Sequence, residues 1–403
     1  MRNSFDYIIV GAGIVGLTLA RELLHREPNC HIRILEKESD IGLHGSGRNS
    51  GVLHSGIYYP EGSLKARMCS TGSKLMAEYC AVNNLPISRT GKVILPVKEG
   101  DERQLELLHS RARANGATVE IIDDAQLKQL EPSAFSIIGK SLFTPDTAVV
   151  EPKLILQSLV NELERRGVQF EFKCEITDVD VAKSSISTNQ GKYNYGWLLN
   201  CAGQQADRVA KNFKVGERYT LMPFKGLYYK LSPHSQVSCQ RLLYPVPDLN
   251  VPFLGVHYTR KINGDIYLGP TAIPALGREH YSGLKGIDMV ESCKILYRLA
   301  QQYALNKQGF REFSHSEAIR FLKPKFVEAA QKLTPGLKSE DLLVSDKVGI
   351  RAQLLDKHKH ELVMDFVVEN AENSTHILNA ISPAFTSSMS FAEYIIDQKL
   401  KVN

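Results

Sequence analysis

The sequence has no pair of cysteines at CxxC spacing, no run of basic residues, no apolar stretch long enough to span a membrane, and no internal repeat or low-complexity tract. Each absence excludes a class. Seven cysteines, an odd number, are scattered from Cys30 to Cys293. Neither a zinc ribbon nor a disulfide framework is indicated, and reduced thiols in a cytosolic-type compartment are expected. Lys plus Arg is 49 against 44 for Asp plus Glu, so a net charge of +5 is spread over 403 residues. Nucleic-acid binders usually cluster their basic residues, so no such partner is expected. The apolar stretch at residues 7–20, YIIVGAGIVGLTLA, is 14 residues long and holds three glycines; a membrane span needs about 20 residues. Little basic sequence precedes it and no clear cleavage site follows, so it is not read as a signal peptide, and a strand starting at Phe5 leaves nothing over for targeting. What is present is globular: 43% apolar and 23% charged residues. The length suits two or three domains with a core that needs no disulfide staples.

Phe5 to Val10 is dense in Ile and Val, as in a strand buried on both faces. Gly11-Ala12-Gly13-Ile14-Val15-Gly16 follows, then Leu17, Ala20 and Leu24 at helical spacing, then a second strand, His31 to Glu36. In a strand–GxGxxG–helix–strand–acid order each glycine has a physical task. Gly11 permits the tight turn, Gly13 lets backbone amides approach a pyrophosphate, and Gly16 lets helix and strand pack closely. The helix start offers partial positive charge to phosphates. Glu36, 20 residues past Gly16, is placed to accept hydrogen bonds from a ribose. An acid here favours an adenosine without a 2′-phosphate, so NAD or FAD. The bland alternative is an ordinary βαβ unit with a glycine-rich turn.

The next segment separates the two cofactors. A nicotinamide dehydrogenase usually continues into another βα unit, whereas Gly42 to Gly56 is an irregular stretch rich in Gly, Ser and His. It leads into a helix expected near Ser63 to Asn83. SGRNSGVLHSGIYYPEGSLKAR, positions 46–67, resembles the D-amino-acid oxidase-like FAD-dependent oxidoreductases, and more closely their L-2-hydroxyglutarate oxidase or dehydrogenase branch. The resemblance extends over nearly the whole chain. Trp197 to Gly203 looks like the family's second flavin-side turn. Met222 to Tyr229 is similar to its PFRGEYY strand, with Lys225 for Arg and Leu227 for Glu. Leu254 to Arg260 resembles GVHFTR, Gly269-Pro270-Thr271-Ala272 resembles GPNA, and Val348-Gly349-Ile350-Arg351 matches the GIR strand end. Asn379 to Thr386 is similar to NAPSPAATAS, with Ile381 and Phe385 as departures.

The resemblance implies an α/β chain, α+β overall, in which a Rossmann-like FAD-binding domain (1–85, 146–215 and 345–403) interleaves with a mixed-sheet substrate-binding domain (86–145 and 216–344). It also implies the cofactor contacts. These are Gly11, Gly13, Ile14, Val15 and Gly16 at the first turn, Glu36 with Lys37 after the second strand, and Ser46, Arg48, Asn49, Ser50, Gly51 and His54 in the loop. Cys201, Ala202 and Gly203 form the second turn, and Ser382, Pro383, Ala384, Phe385 and Thr386 a turn that aims a helix start at the flavin. No metal is expected.

The reaction implied is oxidation of L-2-hydroxyglutarate to 2-oxoglutarate, with hydride passing to flavin and the hydroxyl proton to a base. A histidine suits the base because its pKa lies near operating pH. His257, on a strand expected to roof the substrate, is preferred, and His54 is placed near the flavin. Arg351 is the expected carboxylate clamp, since a guanidinium fork matches a carboxylate. A dicarboxylate needs a second cation, for which Lys225 and Arg260 are candidates, with Arg48 behind them. Tyr58 and Tyr258 are candidate donors, or else core residues. Reoxidation by oxygen or by a membrane quinone is expected, in a cytoplasmic protein or one peripheral to the inner membrane. Rival readings are an oxidase of an amino acid or of another 2-hydroxy acid on the same fold, an NAD-dependent dehydrogenase, and a flavin-fold binding protein without catalysis.

Overall fold

The structure, a computed structural model, describes residues 3–400. Its first sheet is built around Ser4–Val10, which pairs in parallel with Ile32–Leu35 on one side and Gly191–Asn200 on the other. Covered on both faces, the strand needs apolar residues at consecutive positions, which is why it does not alternate. Gln169–Glu171 extends the sheet beyond Ile32–Leu35. Ser374–Asn379 runs parallel to Gly191–Asn200 and carries Val367–Ala371 antiparallel at its side. Helices Ile14–Arg26, Leu64–Val82, Pro152–Arg165 and Ala384–Ile395 contribute Leu17, Met76, Leu159 and Phe391 to one continuous core.

The helix expected near Ser63 to Asn83 is Leu64–Val82. Ser63 caps it by accepting from the Ala66 amide at 3.2 Å, and Asn83 closes it. Asp365, distant in sequence, takes the first two amides of the helix: Leu64 N donates to Oδ2 at 3.0 Å and Lys65 N to Oδ1 at 3.1 Å. A carboxylate here satisfies orphan amides and also meets the positive end of the helix dipole.

The second sheet has ten strands. Along its main path lie Glu361–Leu362, Leu342–Asp356, Tyr219–Leu231, Ile266–Gly269, His257–Arg260, Leu242–Pro245, Lys92–Leu95, Lys140–Thr144 and Glu120–Asp123, with Ile273–Pro274 pairing to Tyr219–Leu231. The boundary expected at residue 345 falls inside a strand. Leu342–Asp356 pairs with Tyr219–Leu231 from Leu342 to Asp356, so the stretch through Leu362 belongs to the second sheet rather than the first. A small third sheet joins Val52–Leu53, Ala148–Val150 and Ile87–Ser88. Three helices, Met289–Leu305, Phe310–Arg320 and Lys323–Gln331, lie between Ile273–Pro274 and Leu342–Asp356 in the chain.

Asp365→Ala strips two amides of their acceptor and the helix start of a negative charge. It is expected to cost about 2 kcal/mol of stability, read as a lowered midpoint in urea unfolding at unchanged slope.

Candidate active site

Both turns of the first sheet open on one cavity. Val10 leads into Gly11, which adopts φ +105°, and a Cβ there would lie 2.6 Å from the Cys201 carbonyl oxygen. A Cβ on Gly16 would lie 2.1 Å from the Gly11 carbonyl oxygen, so strand end, turn and helix are in close contact. Helix Ile14–Arg26 starts at Gly13 with no side-chain cap and no acid in its first turn. Ser46 Oγ accepts from Ile14 N at 3.0 Å, and Glu36 Oε2 from Ala12 N at 2.9 Å.

The cavity has a volume of about 1020 Å³ and runs from Gly11–Val15 past Glu36, Lys37, Ser46, Arg48, Asn49 and Ser50 to His54, His257 and Arg351. This is at the upper end of cofactor and ligand sites, roughly 300–1,000 Å³. Cys201, Ala202 and Gly203 line it, as do Ser382, Pro383, Ala384, Phe385 and Thr386 at the start of helix Ala384–Ile395. Gly16 and Gly51 do not. Gly16 serves the helix–turn contact, and Gly51, at φ +72°, packs against Val150.

The substrate end is held by strands of the second sheet. His257 is buried, and its ring stacks on Tyr244 with centroids 3.9 Å apart. Its Nδ1 lies 2.9 Å from the Gly255 carbonyl oxygen. A carbonyl only accepts, so Nδ1 carries the hydrogen and Nε2 keeps its lone pair. Burial, with Lys92, Arg351 and Lys347 nearby, pushes the His257 pKa down to about 3. His54 is also buried, its Nδ1 has no partner, and burial with Lys92 behind it brings its pKa to about 3. Both rings are neutral at ordinary pH. Arg351 donates from NH1 to the Pro252 carbonyl and lies over the Phe253 ring at 5.2 Å, with no carboxylate ion pair among the described residues.

Four expected substrate contacts lie elsewhere, three of them because side chains alternate across a strand, and Tyr58 because it sits in a turn packed into another cluster. His257 faces the cavity, so Tyr258 and Arg260 face two different partners on the other side of that strand pattern. Tyr258 hydrogen-bonds Thr334, and Arg260 NH1 donates to the Cys239 carbonyl at 3.3 Å. Phe224 and Gly226 line the cavity, and Lys225 between them does not. Tyr58 is buried in a separate apolar cluster, its hydroxyl without a partner. Arg48 does reach the cavity, where its guanidinium lies 4.2 Å from the Tyr281 ring centre.

The sequence reading passed over a polar cluster at the opposite end. Lys37 bridges Glu38 and Glu279, the latter at 2.9 Å. His44 contacts Glu38 at 2.8 Å, and both Tyr281 and Gln204 at 2.9 Å. Glu38, His44 and Glu279 are close enough together to hold a cation, but the Lys37 ammonium already lies among them. Of these residues Lys37 was expected at the cofactor and His44 stood in the Gly- and His-rich loop, while Glu38, Glu279, Tyr281 and Gln204 carried no signal. Tyr228, which also lines the cavity, stood in a marked strand, while Tyr244 carried no signal.

A family model described as FAD dependent oxidoreductase matches residues 6–398. The chain is a member of that family. It is 34% identical to an L-2-hydroxyglutarate dehydrogenase of Indibacter alkaliphilus, over 98% of this chain and 99% of that one. It is 35% identical to the mitochondrial L-2-hydroxyglutarate dehydrogenase of Caenorhabditis elegans and 31% identical to the L-2-hydroxyglutarate dehydrogenase of Escherichia coli K12, in each case over 98% of this chain and 93% of the other. These identities place it in the L-2-hydroxyglutarate dehydrogenase branch. Among solved structures, the FAD-bound L-α-glycerophosphate oxidase of Mycoplasma pneumoniae aligns with a TM-score of 0.76 at 20% identity, over 98% of this chain and 94% of that one. Glycine oxidase of Geobacillus kaustophilus aligns with 0.71 at 14%, with the same coverage; both share the fold. The chain is therefore an FAD-dependent oxidoreductase acting on a CH–OH group. The cavity fits the cofactor: its glycine turn leaves no room for a side chain, its helix start is bare of acid, and Glu36 stands at the end of the second strand.

Gly11→Val puts a branched side chain against the Cys201 carbonyl at a backbone angle that suits glycine. The purified variant is expected to carry FAD at a small fraction of the wild-type ratio, measured by flavin absorbance per protein.

Proposed function

We propose that the enzyme oxidises L-2-hydroxyglutarate to 2-oxoglutarate. The observation that carries this is the cavity's reacting end. A neutral histidine with a fixed tautomer, His257, and an arginine without a carboxylate partner, Arg351, line the same space. The names of the relatives supply the particular acid.

Bound FAD supplies the acceptor for the hydride that leaves carbon 2. Arg351 holds the 1-carboxylate, its guanidinium kept in place by Pro252 and Phe253. The entering carboxylates offset the positive charge around His257, which raises the basicity of its ring toward the value that proton transfer needs. His257 Nε2 then accepts the hydroxyl proton, and the Gly255 carbonyl stabilises the resulting imidazolium through Nδ1–H. The start of helix Ala384–Ile395 turns its partial positive charge toward the cavity, where it would stabilise negative charge on a bound flavin. Among the described residues no helix is long and apolar enough to cross a membrane, and oxygen and a membrane quinone are both candidate acceptors.

The test is a substrate panel on the purified holoenzyme: L-2-hydroxyglutarate, L-malate, L-lactate, L-glutamate, glycine and sarcosine, each with oxygen or a quinone analogue as acceptor. The highest kcat/KM is expected for L-2-hydroxyglutarate. Turnover of glutamate or sarcosine without turnover of L-2-hydroxyglutarate would overturn the reading in favour of an amine oxidase on the same fold.

A further inference from the structure

Lys92 opens the strand Lys92–Leu95, between Leu242–Pro245 and Lys140–Thr144. It is fully buried, and its Nζ has no hydrogen-bond partner among the described residues. The ammonium lies 4.7 Å from the Tyr58 ring centre and 5.3 Å from that of Tyr244. Tyr244 is the ring on which His257 stacks. The titratable groups that face Lys92 are Tyr58, Tyr244, His54, His257 and Cys69, and none is a carboxylate. The other cations that face His257 are Arg351 and Lys347.

An ammonium with no anion beside it costs stability when buried, and two aromatic faces offset only part of that cost. Methionine or leucine would fill this position without the cost. A lysine here therefore has a use other than packing, and the neighbour that gives it one is His257.

We propose that Lys92 is a positioning residue for the oxidation: clamped between the Tyr58 and Tyr244 rings, one ring away from His257, it sets the charge field in which His257 receives the substrate proton. The inference rests on His257 being the proton acceptor. Two like charges so close in a buried setting oppose each other. While Lys92 is charged, His257 stays neutral and ready to accept. Once the ring has taken the substrate proton, the nearby ammonium favours loss of that same proton from His257 to solvent as the product leaves, which returns the base to its neutral form for the next turnover. Burial lowers the Lys92 pKa to about 7. The tyrosines bracketing it explain an observation that the flavin site alone does not, namely why Tyr58, expected to touch substrate, instead turns its ring to a lysine.

The test compares FAD-loaded wild type, Lys92→Met and Lys92→Arg by nitrogen-15 NMR of labelled histidines, with the His257 signal identified by its loss in His257→Gln, and by the pH profile of kcat/KM. In Lys92→Met, His257 is expected to protonate about one pH unit higher than in wild type, and the acid limb of kcat/KM to move up with it. Lys92→Arg keeps the charge and is expected to keep the wild-type acid limb. The melting temperature of Lys92→Met is expected to equal or exceed that of wild type. Between the folded pKa near 7 and the ordinary value of 10.5 the unfolded chain binds a proton that the folded chain does not. The advantage of Lys92→Met is therefore full at pH 7 and shrinks toward pH 10. An unmoved His257 titration, or a Lys92→Met chain that fails to fold, overturns the proposal, because either assigns the lysine a purely structural part. If His257→Gln turns over at the wild-type rate, the proton-acceptor reading of His257 itself fails and the inference goes with it; if that variant is slow and the titration is unmoved, only the inference fails.

Discussion

No side chain fits at Gly11, where two parallel strand ends meet a helix start and a Cβ would lie 2.6 Å from the Cys201 carbonyl oxygen. That contact holds the first turn against the second, and the cavity follows from it. With the turns apart, the bare helix start at Gly13, the acid at Glu36 and the small residues Ala202 and Gly203 would not share one wall. Helix packing on the sheet repeats the same demand at Gly16, whose Cβ would strike the Gly11 carbonyl. Cofactor binding is in this sense a consequence of backbone proximity, and side chains refine it.

At the other end the governing quantity is charge. Arg351, Lys92 and the two neutral histidines stand together with no carboxylate among them, in surroundings where an uncompensated cation is costly. Such an arrangement costs folding stability and gains affinity for an anion, which is the usual relation between a site and its scaffold. The proposed substrate, with two carboxylates, would supply what the fold omits. The second sheet makes this possible because its strands put Arg351 beside Phe224 and His257 beside Gly269, in two ladders of one sheet.

The nucleotide half was legible because its signals are local. A glycine turn between a buried strand and an amphipathic helix is written in consecutive residues: Ser4–Val10 and Leu64–Val82 fall within a residue of expectation, and Ile14–Arg26 contains the expected spacing of Leu17, Ala20 and Leu24. The substrate half was legible only through resemblance, and resemblance names a strand without saying which way each residue points. At His257–Arg260 the first three residues are all buried, so no alternation of polar and apolar residues marks the cavity side. Tyr258 and Arg260 were chosen with His257 although they lie on the opposite parity, and Lys225 was chosen for the same reason. Lys92 escaped notice because a lysine before Val93-Ile94-Leu95 reads as the solvated end of a strand. The helices from Met289 to Gln331 were not anticipated, and several of their apolar residues, among them Met289, Val290 and Tyr297, are exposed.

The central claim is that a 2-hydroxy dicarboxylate gives up its carbon-bound hydrogen in this cavity. The most direct measurement is a single turnover without oxygen, mixing the FAD enzyme with saturating L-2-hydroxyglutarate carrying hydrogen or deuterium at carbon 2 and following the loss of oxidised-flavin absorbance. The account predicts complete loss, several-fold slower with deuterium. A spectrum that stays oxidised would contradict it, as would a loss at the same rate for both isotopes.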